Sequence, residues 1–321
     1  MPNDRLRLLA RLAAERSKLL AGLLGLDRRA LTEEAFLDDW TVKDALAHIA
    51  AWDRWEHRQM RRMAAGESPN DVAVDAFNAV VVNQWRERAL SEVVGELENA
   101  RAAWVGWLRD LPEETFFASR PFDEWDWAFP NCLEVQWQHD AEHAAQIAAW
   151  RQAHGFEHQV GPKCVLLAAL EAGREGLLTA SALIPPRDRT LRLVCGVWTL
   201  KDLLGHLADW EQVGVEGLRL MARGRTLSME HVDDIDAWNR EHAEARREQP
   251  WSKVWSDLHE TRRALVKALE PMVQGDLSRL YQFPWGPEGT AYQWVAAFVE
   301  HDREHAQGLR EVLGARGDGV E

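Results

Sequence analysis

Residues 40–53 read WTVKDALAHIAAWD, and residues 198–211 read WTLKDLLGHLADWE. The two stretches lie 198 − 40 = 158 residues apart in a chain of 321, so the protein is one module written twice. Each copy also announces how it folds. Thr41 with Asp44, and Thr199 with Asp202, have the spacing of a capping box, which starts a helix just after Trp40 and Trp198. On the helix that follows, His48 shares a face with Ala45, Trp52 and Trp55, and His206 shares one with Leu203, Trp210 and Val213. An apolar face that carries one histidine is therefore present in both copies.

Followed outward, the repeat predicts an all-α fold. Apolar residues recur at three- and four-residue steps over Leu6–Leu24, Thr41–Ala65, Val72–Leu108 and Cys132–Ala153, and no alternating run long enough for a strand intervenes. Four helices per half is the simplest count, which makes two tandem four-helix bundles. The segment HGFEHQVGPK, residues 154–163, is short and glycine-bearing, so one domain is expected over 1–157 and the second over 158–321. Pro250 removes a backbone donor and clashes with the preceding turn, so the third helix of the second half should kink or break there, with the region of Leu90 as its counterpart. Asn78 in DAFNAV answers Asn239 in DAWNRE at 239 − 78 = 161, and WQHDAEHAAQI answers VEHDREHAQGL at 301 − 139 = 162. Helices keep register while loops absorb the change.

Composition removes several classes of function. A formal charge of −14 repels a phosphate backbone and an anionic membrane surface alike. No run of 18 apolar residues is present, and the opening MPNDRLRLLARLAAERSKLL mixes charge with leucine at helical spacing, so the expected setting is the cytoplasm, without nucleic-acid or membrane partners. Cys132, Cys164 and Cys195 share no ligand spacing and read as small buried residues.

The chemistry-bearing residues are histidines. His139 and His143 lie four apart on one helix, as do His301 and His305, so each pair shares a face and can reach a single cation. The first pair lies in a stripe with Cys132, Val135, Ile147 and Trp150, the second in a stripe with Trp294, Ala297, Leu309 and Val312. With His48 and His206, each half brings three imidazoles inward from two helices. Three neutral nitrogens around a divalent ion are satisfied and leave a coordination position open, whereas unpartnered buried imidazoles are costly. His57, His154, His158, His231, His242 and His259 do not correspond between halves and read as solvated surface. HDAEH and HDREH also fit the H-x-x-E-H pattern of inverted zinc proteases, with Glu142 and Glu304 as bases. The second copy leaves only 321 − 305 = 16 residues for the further ligand, which argues against that class. Asp53 and Glu211, about 140° around the helix from their histidine, are expected to face water. Asn78 and Asn239 are candidate substrate-facing groups, with a capping or inter-helix hydrogen bond as the alternative.

These motifs resemble the DinB/YfiT-like superfamily. The texts NREHAEARREQPWSKVWSDLHETRRALVKAL and FPWGPEGTAYQWVAAFVEHDREH are most similar to its ClbS/DfsB-type branch, and the resemblance spans nearly the whole chain as two copies. It implies a tri-histidine site for zinc or nickel at His48, His139 and His143, and a second at His206, His301 and His305. It further implies relatives that act with low-molecular-weight thiols, hydrolyse amides or protect against electrophilic genotoxins. Gln146, three residues after the second histidine, becomes Gly308 in the second copy, so the two sites need not do the same chemistry. The readings that follow are a metal-dependent enzyme, a metal-poor module that sequesters a small apolar molecule, and a DNA-associated protection factor, the last opposed by the charge. Because a covalent duplicate can satisfy a bundle's pairing face internally, a pseudo-two-fold monomer is expected.

Overall fold

A computed structural model of the chain describes residues 4–122, 125–156, 159–226, 234–284 and 287–314. The first copy comprises α1 (Asp4–Ala21), α2 (Arg28–Thr32), α3 (Val42–Ala64), α4 (Val74–Trp85), α5 (Leu90–Asp110), α6 (Glu113–Phe117), the hairpin β1 (Arg120–Phe122) and β2 (Trp125–Trp127), and α7 (Phe129–His154). The second comprises α8 (Lys163–Ala182), the hairpin β3 (Leu193–Cys195) and β4 (Trp198–Thr199), α9 (Leu200–Met221), α10 (Ile235–Ala245), α11 (Trp251–Leu269), α12 (Gln274–Leu277), the hairpin β5 (Leu280–Gln282) and β6 (Glu288–Thr290), and α13 (Ala291–Gly314). The fold is all-α. By internal packing the chain divides into compact units 1–172 and 173–321, so the division falls within α8.

The expected caps are present. Thr41 Oγ1 accepts from the Asp44 amide while the Asp44 carboxylate accepts from the Thr41 amide, and Thr199 with Asp202 repeats the pattern. The long third helix is broken in both copies. α4 ends at Trp85 and α5 starts at Leu90, and α10 ends at Ala245 with Pro250 capping α11. Lys43 Nζ donates to the Arg86 and Arg88 carbonyls, and Lys201 Nζ donates to those of Arg246, Arg247 and Gln249, so one lysine ties each break to the triad-bearing helix. At the end of α7, Gly155 adopts φ 65°, a left-handed conformation that stops the helix without a Cβ clash.

Short antiparallel hairpins, two or three residues per strand, precede α7, α9 and α13 where no strand is expected. Alternation over three residues is too brief to register as a pattern. Leu9, Leu12, Met60, Trp104, Phe116 and Phe129 pack the first core, and Leu177, Leu200, Leu204, Val254, Leu258 and Leu309 pack the second.

Candidate metal centre

α3 supplies His48, and α7 supplies His139 and His143 one turn apart. His48 Nε2 lies 2.9 Å from His139 Nε2, which lies 3.1 Å from His143 Nε2. The ring centroids are 4.9, 5.5 and 4.7 Å apart for the pairs 48–139, 48–143 and 139–143. In the second copy α9 supplies His206 and α13 supplies His301 and His305, with His206 Nε2 2.9 Å from His301 Nε2 and centroids 4.8, 5.4 and 4.9 Å apart in the same order. In each triad one ligand atom per residue lies within 4.8 Å of the others. The agreement between copies shows one geometry preserved through the duplication.

Hydrogen bonding alone does not satisfy this geometry. A ring nitrogen carries either one proton or one lone pair, so His139 Nε2 cannot bond properly to His48 and His143 together. The far nitrogens of His48, His143 and His206 are buried and make no hydrogen bond among the described residues. Burial above all, then the neighbouring imidazoles, push the pKa of His48 down to about 3 and that of His139 to about 4. His206 and His301 are pushed to about 3 and about 4 by the same causes in the same order. His143 and His305 are likewise lowered by burial, with Gln146 opposing the shift at His143. The rings are therefore neutral near pH 7, with converging lone pairs available to a cation. This donor set fits a divalent ion.

The walls are aromatic. Trp40 and Trp52 pack on His48, and Trp198 and Trp210 on His206. Asn78 Oδ1 accepts from Trp52 Nε1 at 2.9 Å, and Asn239 Oδ1 accepts from Trp210 Nε1 at 2.9 Å. Of the two readings open for these asparagines, the inter-helix hydrogen bond is observed, and it places each amide beside a triad imidazole, where it counters the lowering of the histidine pKa.

Just beyond each triad lies a layer that sequence reasoning missed. Arg16 of α1 and Arg101 of α5 bridge Asp53 of α3 and Asp140 of α7, with the closest contacts at 2.7 to 2.9 Å, and all four are buried. Arg174, Arg262, Glu211 and Asp302 repeat the arrangement on α8, α11, α9 and α13, where Thr261 Oγ1 also donates to Glu211. The expectation that Asp53 and Glu211 face water is thus corrected: both are essentially inaccessible, because the bundle encloses a wide arc of α3 and α9 and the arginines neutralise the charge. The missed signal was the repeat itself. The arginines correspond at 174 − 16 = 158 and 262 − 101 = 161, the carboxylates at 211 − 53 = 158 and 302 − 140 = 162, the same offsets as the motifs.

A family model described as the DinB superfamily matches residues 11–147 and again 169–308. The chain belongs to the DinB superfamily. No curated protein and no solved structure matches it.

In this DinB superfamily chain Glu142 and Glu304 are exposed, away from the role of a protease base. Other expectations need correction. His57, His242 and His259 are half-buried against Trp107, Trp238 and Trp255 rather than solvated, since an imidazole face packs well on indole. His154 is exposed, and His158 and His231 lie outside the described residues. Only Cys132 is buried; Cys164 is half-buried, and Cys195 is exposed on β3. Val135 is 44% exposed, and Gln136 occupies the inward position beside it. Among the described residues no helix is long and apolar enough to cross a membrane.

Proposed function

We propose that the protein is a metal-dependent DinB-type enzyme, a hydrolase or thiol-dependent transferase acting on a small electrophilic molecule in the cytoplasm. The convergence of three neutral imidazoles in each copy carries this reading. His48, His139 and His143 would hold one ion, and His206, His301 and His305 a second. Zinc or nickel so held supplies Lewis acidity and lowers the pKa of water or of a low-molecular-weight thiol. The chain's own contribution is placement. Asn78 and Asn239, fixed by their tryptophans, present amides that orient a polar substrate group, while Trp40 and Trp198 shield one side of the triads from water. Likeness to the ClbS/DfsB-type branch supports a detoxifying role.

Elemental analysis after purification without affinity nickel, followed by dialysis against zinc or nickel, tests the reading. Two ions per chain are expected, and none bound under either condition overturns it. A second reading draws on an opening of about 710 Å³ lined by Trp198, Thr199, Lys201, Ala237 and Arg240. Its size suits a small molecule, so a metal-poor sequestering protein takes first place if no ion binds.

A further inference from the structure

α3 and α7 run antiparallel past one another, and their paired levels can be read from the contacts. His48 faces His139 and His143, and Asp53, further along α3, joins Asp140 through the arginines. Continuing along both helices, Glu56 and then Gln59 follow on α3 and Gln136 and then Cys132 on α7, and the Glu56 charge acts across to α7 on the Cys132 thiol.

In the second copy the equivalents are Gly214 opposite Phe298, then Gly217 and Trp294. There aromatic rings fill the layer. A Cβ on Gly214 would lie 2.4 Å from the Phe298 ring, and one on Gly217 would lie 2.4 Å from the Trp294 ring. Trp294 Nε1 donates to the Gly214 carbonyl, so the indole is satisfied as well as buried. This copy proves that the bundle folds without a carboxylate or an amide at this level.

The first copy instead keeps two acceptors that no described residue satisfies. Gln136 is 2% exposed, and its Oε1 has no hydrogen-bond partner among the described residues. Glu56 is half-buried, and among the described residues no arginine or lysine pairs with it, unlike Asp53 one turn away. Burial first, then Asp53, push the Glu56 carboxyl up to about 7, the behaviour of an anion without its counter-ion. Leaving such groups unpartnered is costly, and the apolar second copy demonstrates a cheaper filling.

We infer that Glu56 and Gln136 form a subsite for a protonated amine, present in the first copy and lost in the second. The negative charge of Glu56, with the unpartnered carbonyl oxygen of Gln136 beside it in sequence register, favours an N–H donor bearing positive charge over a carboxylate or a neutral amide. Glu56 lies two turns from His48 on α3 and Gln136 one turn from His139 on α7, and neither is a triad ligand, so the subsite does not depend on a metal there.

Calorimetric titration of the full chain at pH 8 with n-butylammonium, butyramide and butyrate tests the inference, on chelator-treated and on zinc-dialysed protein. Saturable one-site binding of n-butylammonium alone is expected in both. Glu56→Gln should weaken it by about tenfold or more, the loss typical of one charge-assisted hydrogen bond. The pair Glu56→Gly with Gln136→Phe, which copies the second half, should abolish it while zinc content stays unchanged. Should the pair fail to fold, Glu56→Gln carries the test alone. Equal heats for n-butylammonium and butyrate would overturn the inference, as would unchanged binding in Glu56→Gln, which would mean the amine binds elsewhere, for instance on a triad-held ion. Zinc content, measured separately, keeps this failure distinct from failure of the metal reading.

Discussion

Burying a histidine in neutral form ties stability to pH, and the sign follows from which state holds more protons. An unfolded imidazole titrates near 6.5, whereas His48 and His206 are pushed to about 3 and His139 and His301 to about 4 in the folded chain. Below pH 6.5 the unfolded chain takes up protons that the folded chain refuses. Stability is therefore full above 6.5 and falls as pH drops toward 4, by at most about 1.4 kcal/mol per pH unit for each such group. Glu56 acts in the opposite direction: raised from 4.5 to about 7, it contributes stability that is lost as pH rises through 7. Urea unfolding of chelator-treated protein should show lower stability at pH 5 than at pH 7, and the slope should flatten when His139 and His143 are replaced by glutamine. An unchanged slope would place the pH sensitivity elsewhere. The triads were legible because the same histidines recur within the same motif text in both copies. Asp53 and Glu211 were not, since a charge away from the histidine face reads as solvated unless its arginine partners on other helices are known.

Among the elements, the buried ionic layer has a clear consequence. Arg16, Asp53, Arg101 and Asp140 come one each from α1, α3, α5 and α7, so four helices are stitched at a single level next to the triad. Two positive and two negative charges balance there. Removing one arginine leaves two buried carboxylates sharing a single cation, a loss typically worth about 3–5 kcal/mol. Arg101→Met should destabilise the chain by that order in urea titration, and Arg262→Met should do the same for the second copy. A change below about 1 kcal/mol would show that water reaches the layer and screens it. At this scale the sequence was generous. Capping boxes located the starts of α3 and α9, and Pro250 located the break before α11. The hairpins escaped notice because strands of two or three residues hold no periodicity. Gln136 escaped because Val135, its apolar neighbour, looked the better core residue.

Duplication sets the logic of the whole chain. Each unit contains one complete triad, and every triad residue of a copy lies within the same unit, 1–172 or 173–321. The same self-sufficiency supports our proposal of a 36.6 kDa monomer, which sedimentation velocity checks and a stable dimer at low micromolar concentration would overturn. The two copies also differ around the layers they share. The triads and ionic layers agree closely, while Gln146 gives way to Gly308 beside the triad and Glu56 with Gln136 gives way to Gly214 with Phe298 beyond it. Metal binding should therefore be shared and independent, even though ligand preference differs. Replacing His139 and His143 by alanine removes two of three donors from the first copy and leaves all three donors of the second. Elemental analysis should then find one ion where the wild type holds two, and replacing His301 and His305 instead should give the same count. Loss of both ions in either variant would mean that the triads are coupled rather than separate. Retention of both ions after both pairs are replaced would mean that the metal sits outside the histidine triads.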